Sequence, residues 1–200
     1  MVVASNSTIF VVDDDEAVRE SVAALIASDL YTVVGFSSGS ELLQNLGKPC
    51  PGCVLLDLAM PGETGIDISR QLREIAPYLP IILVTAHGSV AARYQAMRCG
   101  AVGFIDKPYE PINLQKTILA AVRVGHEWWE AQRFRSRVAV LPEPAQTILL
   151  TLLRGSTTDE AARLLSMSRV RLQSYLQGAF EMLGVSSLEA VRSGMDKNRS

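Results

Sequence analysis

Acidic side chains follow or end two short apolar runs of this sequence. Asp13, Asp14 and Asp15 come directly after TIFVV, and Asp57 ends the run CVLLD. Adjacent carboxylates repel one another, and burying them costs free energy unless a cation offsets the charge. Two or three carboxylates around one point would form a hard-oxygen site that suits Mg²⁺, and the metal would supply the missing positive charge.

A hydroxyl and a lysine stand at the ends of two further apolar runs. Thr85 ends IILVT, and Lys107 directly follows AVGFID. A carboxylate beside Mg²⁺ can attack phosphorus and form an aspartyl phosphate, and a lysine and a hydroxyl would stabilise the phosphoryl oxygens. Each residue alone has an ordinary explanation, such as a helix start or a solvated surface charge. Their combination is what indicates a site.

The elements that would position these side chains alternate between strand and helix. Nearly continuous apolar runs predict strands that are buried on both faces, and amphipathic stretches between them predict helices. The predicted strands are 8–12, 32–36, 53–57, 81–85 and 101–106, and the predicted helices are 15–28, 39–46, 64–75, 89–98 and one from 111 onward. This alternation indicates an α/β fold, a doubly wound parallel sheet of five strands. Because ligands bind beyond the carboxyl ends of such strands, the carboxylates, Thr85 and Lys107 are expected to meet at one edge.

The chain changes character after residue 111. Residues 114–138 contain one glycine, Gly125, and no proline, which predicts a long helix or a helix with a hinge near Gly125. The stretch LPEP (141–144) then breaks the helical pattern. No strand pattern follows, and short helices are predicted at about 145–153, 158–165, 169–183 and 187–194.

The distribution of charge supports two modules. Residues 1–125 contain 9 Lys and Arg against 13 Asp and Glu, giving −4, whereas residues 137–200 contain 8 against 6, giving +2. We therefore expect a first domain at 1–124, a helical linker at 125–140 and a small all-helical domain at 141–200.

Composition limits the class of protein. Apolar residues make up 48% of the 200 residues, which argues against disorder. No signal-peptide pattern begins the chain and no apolar run reaches the roughly 18 residues of a membrane span, so we expect a cytoplasmic protein without a membrane partner. Three cysteines, Cys50, Cys53 and Cys99, argue against a disulfide scaffold. Cys50 and Cys53 could form half of a zinc site, but no second pair is present.

Four separated motifs resemble the receiver domain of two-component response regulators. In order, over about residues 5–123, they are VVDDDEAVRES, CVLLDLAMPGETGID, IILVTAHG and AVGFIDKPYE. The resemblance implies a flavodoxin-like sheet with strand order 2-1-3-4-5. It also implies a protein that accepts a phosphoryl group from a sensor histidine kinase and is not itself an enzyme, apart from slow self-dephosphorylation.

The resemblance assigns roles to the acidic residues. Asp57 corresponds to the phosphoacceptor. Asp13 and Asp14 correspond to the acid pair that holds Mg²⁺ together with Asp57, and the main-chain carbonyl of Ala59 completes the protein ligands. Asp15 lies at the start of the first helix and is not a ligand.

The resemblance also implies a switching mechanism. Thr85 and Lys107 would contact the phosphoryl group, and Phe104 takes the position of the switch aromatic. Phosphorylation adds charge and acceptor oxygens, so Thr85 would move toward them and Phe104 would enter the space it leaves. This shift between two packings would favour a homodimer or release of the second domain.

The second half resembles the helix-turn-helix output domain of the FixJ/NarL (LuxR-type) group. The matching stretches, within 137–194, are LPEPAQTILLTLLRG, TTDEAARLLSMS and VRLQSYLQGAFEMLGVSSLEAV. The resemblance implies control of transcription, with the helix at 169–183 in the major groove of DNA. The candidate DNA contacts are Arg169, Arg171, Gln173 and Tyr175.

Departures from the family pattern leave the output open. Residues 142–145 replace a usual Thr-x-Arg-Glu, and Asp159 replaces a lysine that touches the DNA backbone, where an acid repels phosphate. Gln173 and Tyr175 stand where Lys and His are common, although Arg169 and Arg171 could compensate. The alternative is a response regulator with a degenerate helix-turn-helix that acts through protein–protein contacts.

Two further alternatives concern other parts of the chain. A haloacid-dehalogenase-type phosphatase also uses Asp, Thr and Lys with Mg²⁺, but it would need a D-x-D nucleophile motif that ends the first strand and a cap domain. Asp15 does lie two positions after Asp13, but no separate acidic pair follows the fourth strand. Trp128 and Trp129 could pack on the first domain or form a hydrophobic seam for dimerisation, and we favour the seam.

Overall fold

The chain divides into two compact units, Met1–Trp129 and Glu130–Ser200. The computed structural model describes residues 7–26, 31–86, 94 and 97–196. The predicted linker at 125–140 spans the boundary between the units. Among the described residues, no helix combines the length and the apolar character needed to cross a membrane.

A parallel sheet of five strands forms the centre of the first unit, and a short antiparallel hairpin accompanies it. In chain order the strands are β1 (Ser7–Val12), β2 (Tyr31–Phe36), β3 (Gly52–Asp57), β4 (Ala59–Met60), β5 (Glu63–Thr64), β6 (Ile81–Thr85) and β7 (Gly103–Asp106). The sheet has the order β2-β1-β3-β6-β7, which is the predicted order 2-1-3-4-5. The hairpin of β4 and β5 was not predicted, because two-residue strands are too short to show a period.

Polar side chains cap the starts of three helices in the first unit. The helices of this unit are α1 (Glu16–Ile26), α2 (Gly39–Asn45), α3 (Gly65–Ile75) and the first part of α4 (Pro111–Ala139). Ser38 and Thr64 accept hydrogen bonds from the third backbone N–H of α2 and α3, and Asp15 Oδ1 accepts one from Ala17. Asp15 thus lies at a helix start, as expected. Most of the predicted helix at 89–98, with His87 before it, lies outside the described residues.

The sheet has an apolar layer on each face. Leu56 and Leu83 belong to one buried cluster, while their neighbours Leu55 and Val84 belong to the other. Because successive side chains of a strand point to opposite faces, a central strand must be apolar at nearly every position. This explains the continuous apolar runs of β3 and β6, whose residues are all buried.

Helix α4 runs unbroken through Gly125 and passes close to the start of β3. A Cβ at position 125 would lie 2.0 Å from the main-chain oxygen of Gly52, so only glycine fits. His126 Nε2 lies 2.7 Å from Ser7 Oγ, at the start of β1. The single-helix interpretation of this segment is therefore correct, and the hinge near Gly125 is not observed.

Both tryptophans pack on the core of the first unit. Trp128 and Trp129 are partly buried against it, and the Trp129 ring meets Tyr78 edge-on with centroids 5.2 Å apart. This packing favours the alternative in which the two tryptophans pack on the first domain over the dimer seam.

The second unit is all helical. Its own helices are α5 (Glu143–Leu153), α6 (Thr158–Leu164), α7 (Arg169–Leu183) and α8 (Leu188–Asp196). Thr157 and Glu160 form a reciprocal capping box at α6, Ser168 caps α7, and Gly184 ends α7 in a left-handed conformation with φ of 66°. The four residues 165–168 join α6 to α7, a connection length typical of a helix-turn-helix. Phe134 and Val138, near the end of α4, contribute to this unit's core.

Replacing Gly125 by alanine should destabilise the first unit. The added Cβ would meet backbone that cannot move aside easily, and overpacking of this kind costs about 1–3 kcal/mol. Urea unfolding followed by tryptophan fluorescence measures this effect, because the chain's two tryptophans both belong to the first unit.

Gly178→Ala is the matched control for this substitution. Gly178 lies inside α7, and a Cβ there meets nothing within 4 Å, so alanine should be neutral or stabilise by about 0.5–1 kcal/mol. Circular dichroism follows the second unit in this variant. An unchanged unfolding midpoint in Gly125→Ala would contradict the close approach of α4 to β3.

Candidate functional site

Polar side chains from four strands lie at the carboxyl edge of the sheet. Asp13 directly follows β1, Asp57 ends β3, Thr85 ends β6 and Lys107 directly follows β7. Asp13, Asp57 and Thr85 are only 4%, 6% and 5% exposed. The structure therefore brings together the residues that the sequence predicted to meet, and it buries two carboxylates side by side.

Lys107 lies between the two buried carboxylates. Its Nζ is 2.7 Å from Asp13 Oδ2 and 2.6 Å from Asp57 Oδ2. Burial alone would lower the pKa of Lys107, but the hydrogen bonds it donates to Asp13 and Asp57 outweigh burial and raise this pKa. The lysine is thus held in its charged form, and it offsets the repulsion between the two acids.

The backbone around Lys107 fixes where this side chain starts. The Lys107 N–H donates to the carbonyl of Thr85 over 2.7 Å, which extends the pairing of β6 and β7 by one residue. The following Lys107–Pro108 peptide bond is cis.

Three carboxylates are arranged so that they could share one metal ion. One oxygen from each of Asp13, Asp14 and Asp57 lies within 4.8 Å of the other two. Among the described residues, no other group of three or more His, Cys, Asp or Glu side chains is close enough to do so. Asp14 is exposed to solvent, while Asp13 and Asp57 are buried. An all-oxygen set that is open on one side fits Mg²⁺, which retains several waters.

Ala59 lies beside the same carboxylate. Its backbone N–H donates to Asp57 Oδ1 over 3.0 Å, so Asp57 has one oxygen held by backbone and the other by Lys107. Ala59 itself is exposed at the start of the short hairpin. The hairpin that the sequence did not predict is therefore the element that positions this residue.

Thr85 and Phe104 lie on the same face of the sheet. Thr85 is opposite Asp106 in the β6–β7 register, and Phe104 precedes Asp106 by two residues, which returns it to the same face. Phe104 is partly buried against the apolar cluster of that face. The positions of both residues are compatible with the coupled movement that the resemblance implies.

Sequence reasoning missed Arg19, which holds the loop that carries the acids. Its Nη1 donates to the main-chain carbonyl of Asp13 over 2.7 Å, and the backbone N–H of Asp15 donates to Asp13 Oδ1 over 3.0 Å. These contacts fix both ends of Asp13. A cation one turn into the helix after an acidic strand end was the signal that could have found it.

The cysteine pair does not form a metal site. Cys53 is fully buried in β3, and burial raises the pKa of its thiol to about 12, which disfavours the thiolate that zinc requires. Cys50 is partly exposed in the preceding loop. The half of a zinc site that the sequence suggested is therefore not a metal site, and Cys53 is instead part of the buried core.

The candidate DNA-binding residues all lie on α7. Arg169, Arg171 and Gln173 are exposed, and Tyr175 is partly buried. Arg169 Nη1 lies 3.3 Å from Asp159 Oδ1, and the Arg171 guanidinium lies over the Tyr175 ring at 5.7 Å from its centroid. Both arginines therefore have partners within the second unit.

Comparison with known proteins gives the family. Residues 9–119 match the family described as the response regulator receiver domain. The chain belongs to this family. Response regulator protein TodT of Pseudomonas putida is 30% identical over 187 residues, which cover 92% of this chain and 82% of TodT. Transcriptional regulatory protein FixJ of Bradyrhizobium diazoefficiens is 31% identical over 196 residues, which cover 94% of this chain and 96% of FixJ.

Solved structures of response regulators resemble the chain as well. The structure of response regulator StyR has a TM-score of 0.64 and 30% identity, and the match covers 96% of this chain and all of StyR. The beryllofluoride-activated NtrC4 receiver domain dimer has a TM-score of 0.55 and 26% identity over 59% of this chain. The protein is therefore a response regulator with a receiver fold, and coverage by a full-length relative is consistent with a second, all-helical domain.

Replacing Lys107 by methionine should destabilise the receiver domain at neutral pH. The two carboxylates would lose their shared cation, and hydrogen bonds to charged groups are worth about 1.5–3 kcal/mol. Because the pKa of Lys107 is raised on folding, its contribution is complete at neutral pH and is lost as the pH rises through the folded-state value. The stability gap between wild type and variant should therefore narrow in strongly alkaline buffer.

The control is Lys116→Met, which removes an exposed lysine from α4 in the same domain. It should change stability by less than about 0.5 kcal/mol. Both variants are measured by denaturant unfolding without added metal, at neutral and at alkaline pH. Equal stability of Lys107→Met and wild type at neutral pH would show that the lysine does not offset the buried acids.

Proposed function

We propose that this response regulator is phosphorylated on Asp57 by a sensor histidine kinase and controls transcription by binding DNA through its second domain. The observation that supports the first step best is Lys107, which contacts both Asp13 and Asp57 at 2.6–2.7 Å. A buried carboxylate held between a cation and a backbone N–H is oriented for reaction and shielded from bulk water.

Phosphoryl transfer to Asp57 is a displacement at phosphorus. A carboxylate oxygen of Asp57 forms a bond to phosphorus, and the bond between phosphorus and the kinase's histidine nitrogen breaks. The nitrogen keeps the electron pair of that bond, so the histidine returns to its free form. Mg²⁺ held by Asp13, Asp14, Asp57 and the Ala59 carbonyl would supply the positive charge that offsets the phosphoryl oxygens.

Lys107 then has a new partner. Once Asp57 is phosphorylated, its carboxylate is part of an acyl phosphate and the negative charge lies on the phosphoryl oxygens. The ammonium of Lys107 can follow that charge while Asp13 stays within reach. Thr85, buried at the end of β6, would donate its hydroxyl to a phosphoryl oxygen. Phe104, on the same face, would enter the space that Thr85 leaves.

An exposed apolar face of the receiver domain supports dimerisation as the readout. Ile112 and Leu119 are both about half exposed and lie seven residues apart, so they share one face of α4. Val102, just before β7, is also exposed. Apolar side chains left on one face favour burial against a partner, and the activated NtrC4 receiver domain is described as a dimer.

DNA binding by the second domain is the second part of the proposal. The α6–turn–α7 geometry of the second unit and the likeness to FixJ, described as a transcriptional regulatory protein, support it. The alternative output is contact with another protein. The ion pair between Asp159 and Arg169 supports that alternative, because it neutralises a cation on the helix that would enter the groove.

Labelling with a small phosphodonor tests the site. Wild-type protein with Mg²⁺ and ³²P-acetyl phosphate should incorporate label, and hydroxylamine should release that label because it cleaves acyl phosphates. Asp57→Asn should incorporate none. Asp67→Asn is the control, since Asp67 is an exposed acid at the start of α3. Persistent labelling of Asp57→Asn would place the phosphoacceptor elsewhere.

A gel-shift assay with the protein's own promoter region tests the output. Retardation should strengthen when acetyl phosphate or beryllofluoride is present, and size-exclusion chromatography of the same samples should show a dimer. Dimer formation without retardation of any duplex at low salt would support protein contact as the output instead.

A further inference from the structure

The helix-turn-helix segment of the second unit carries no net charge. Residues 157–183 contain three acids, Asp159, Glu160 and Glu181, and three bases, Arg163, Arg169 and Arg171, so the net charge is 3 − 3 = 0. Proteins that bind DNA phosphates usually present a surplus of Lys and Arg on the contacting face. The positive charge available to DNA phosphates therefore depends on which of these acids and bases form ion pairs with one another.

The two acids at the start of α6 have different tasks. Glu160 accepts hydrogen bonds from the Thr157 backbone and hydroxyl, and these bonds lower the pKa of Glu160 and hold it as a capping carboxylate. Asp159 has no part in this capping box. Its Oδ1 lies 3.3 Å from Arg169 Nη1 instead. Asp159 is thus the acid that is available to a cation of α7.

Arg169 benefits from this partner because of its place in the helix. It is the first residue of α7, where the partial positive charge of the helix N-terminus makes a cation unfavourable. Asp159 offsets that repulsion. The other arginine of the first turn, Arg171, is stacked over Tyr175 and donates to its hydroxyl over 3.4 Å.

We propose that Asp159 holds Arg169 in an ion pair that withholds this arginine from DNA phosphates, and that DNA binding must break the pair. This inference rests on the proposed DNA-binding function and states how its affinity is limited. The side chains of Arg169 and Asp159 are 61% and 63% exposed, so the pair is solvated and a phosphate can compete for the arginine.

Such a pair lowers affinity without lowering sequence discrimination. Phosphate contacts add affinity for every sequence, whereas base contacts, such as those open to the exposed Gln173, distinguish one sequence from another. When Asp159 holds Arg169, part of the affinity from phosphate contacts is lost, and the discrimination from base contacts is kept. The second unit would then bind random DNA weakly and would depend on a correct site, or on two copies bound together.

A double-mutant cycle on Asp159 and Arg169 tests the inference. Affinities of phosphodonor-treated, full-length protein are measured between 50 and 200 mM salt, on a duplex of its own promoter region and on a random duplex of equal length. Asp159→Asn should raise affinity for both duplexes several-fold and steepen the salt dependence by about 0.9 in log–log slope, the value for one released phosphate contact. Arg169→Gln should weaken binding clearly more in the Asp159→Asn background than in wild type.

Glu181→Gln is the charge-matched control. Like Asp159→Asn, it removes one negative charge from residues 157–183, but Glu181 lies at the far end of α7 and accepts a hydrogen bond from Gln177. It should leave the salt slope unchanged, which separates a local ion pair from a general change in net charge. Circular dichroism checks the fold of each variant, and Asp159→Ser replaces Asp159→Asn if that variant melts at a lower temperature.

The outcomes separate this inference from the function it rests on. Wild-type binding with additive effects of the two substitutions would overturn the ion-pair inference and leave DNA binding intact. Absence of binding to either duplex at 50 mM salt, in wild type and in Asp159→Asn, would overturn DNA binding itself. Coupling between the two residues with a steeper slope in Asp159→Asn would establish the pair as a limit on affinity.

Discussion

The ammonium of Lys107 between the carboxylates of Asp13 and Asp57 is the interaction on which the receiver site depends. Neither acid could be buried beside the other without a cation, because the desolvation cost and the mutual repulsion would both go uncompensated. In the sheet order, β1 and β3 are neighbours but β7 lies two strands from β3. At the usual spacing of paired strands, β7 and β3 are roughly 10 Å apart, so the cation must belong to a long side chain that can reach across.

Fold and site were largely predictable because they follow from short-range rules. Continuous apolar runs identified the central strands, and the polar residue at each strand end identified the edge where Asp13, Asp57, Thr85 and Lys107 meet. The hairpin at Ala59–Met60 and Glu63–Thr64 was not predictable, since strands of two residues show no period. Yet this hairpin positions the backbone that contacts Asp57.

Other features depended on which surfaces approach one another, and sequence patterns do not contain that information. Gly125 looked like a hinge because glycine weakens a helix, but its role is to let α4 approach the backbone of Gly52. Two adjacent tryptophans in a predicted linker suggested a seam for a partner, whereas Trp129 packs on Tyr78. Arg169 was expected to help compensate for Gln173 and Tyr175 on the same helix, but its side chain pairs with Asp159 of α6.

If the proposed function is correct, each domain has an ion pair whose cation also interacts with a phosphate. The burial of the pair determines how easily the phosphate replaces the carboxylate. At the receiver site the acids beside Lys107 are almost fully buried, so the pair is strong and a free phosphate in water would not displace Asp57 from it. Covalent transfer solves this problem, because the phosphoryl group then replaces the charge of Asp57 and cannot diffuse away. The pair of Asp159 and Arg169 is mostly exposed and therefore weak, so ordinary salt-dependent association with DNA phosphates is enough to break it. The receiver pair thus suits a switch driven by a kinase, whereas the exposed pair suits a reversible limit on affinity.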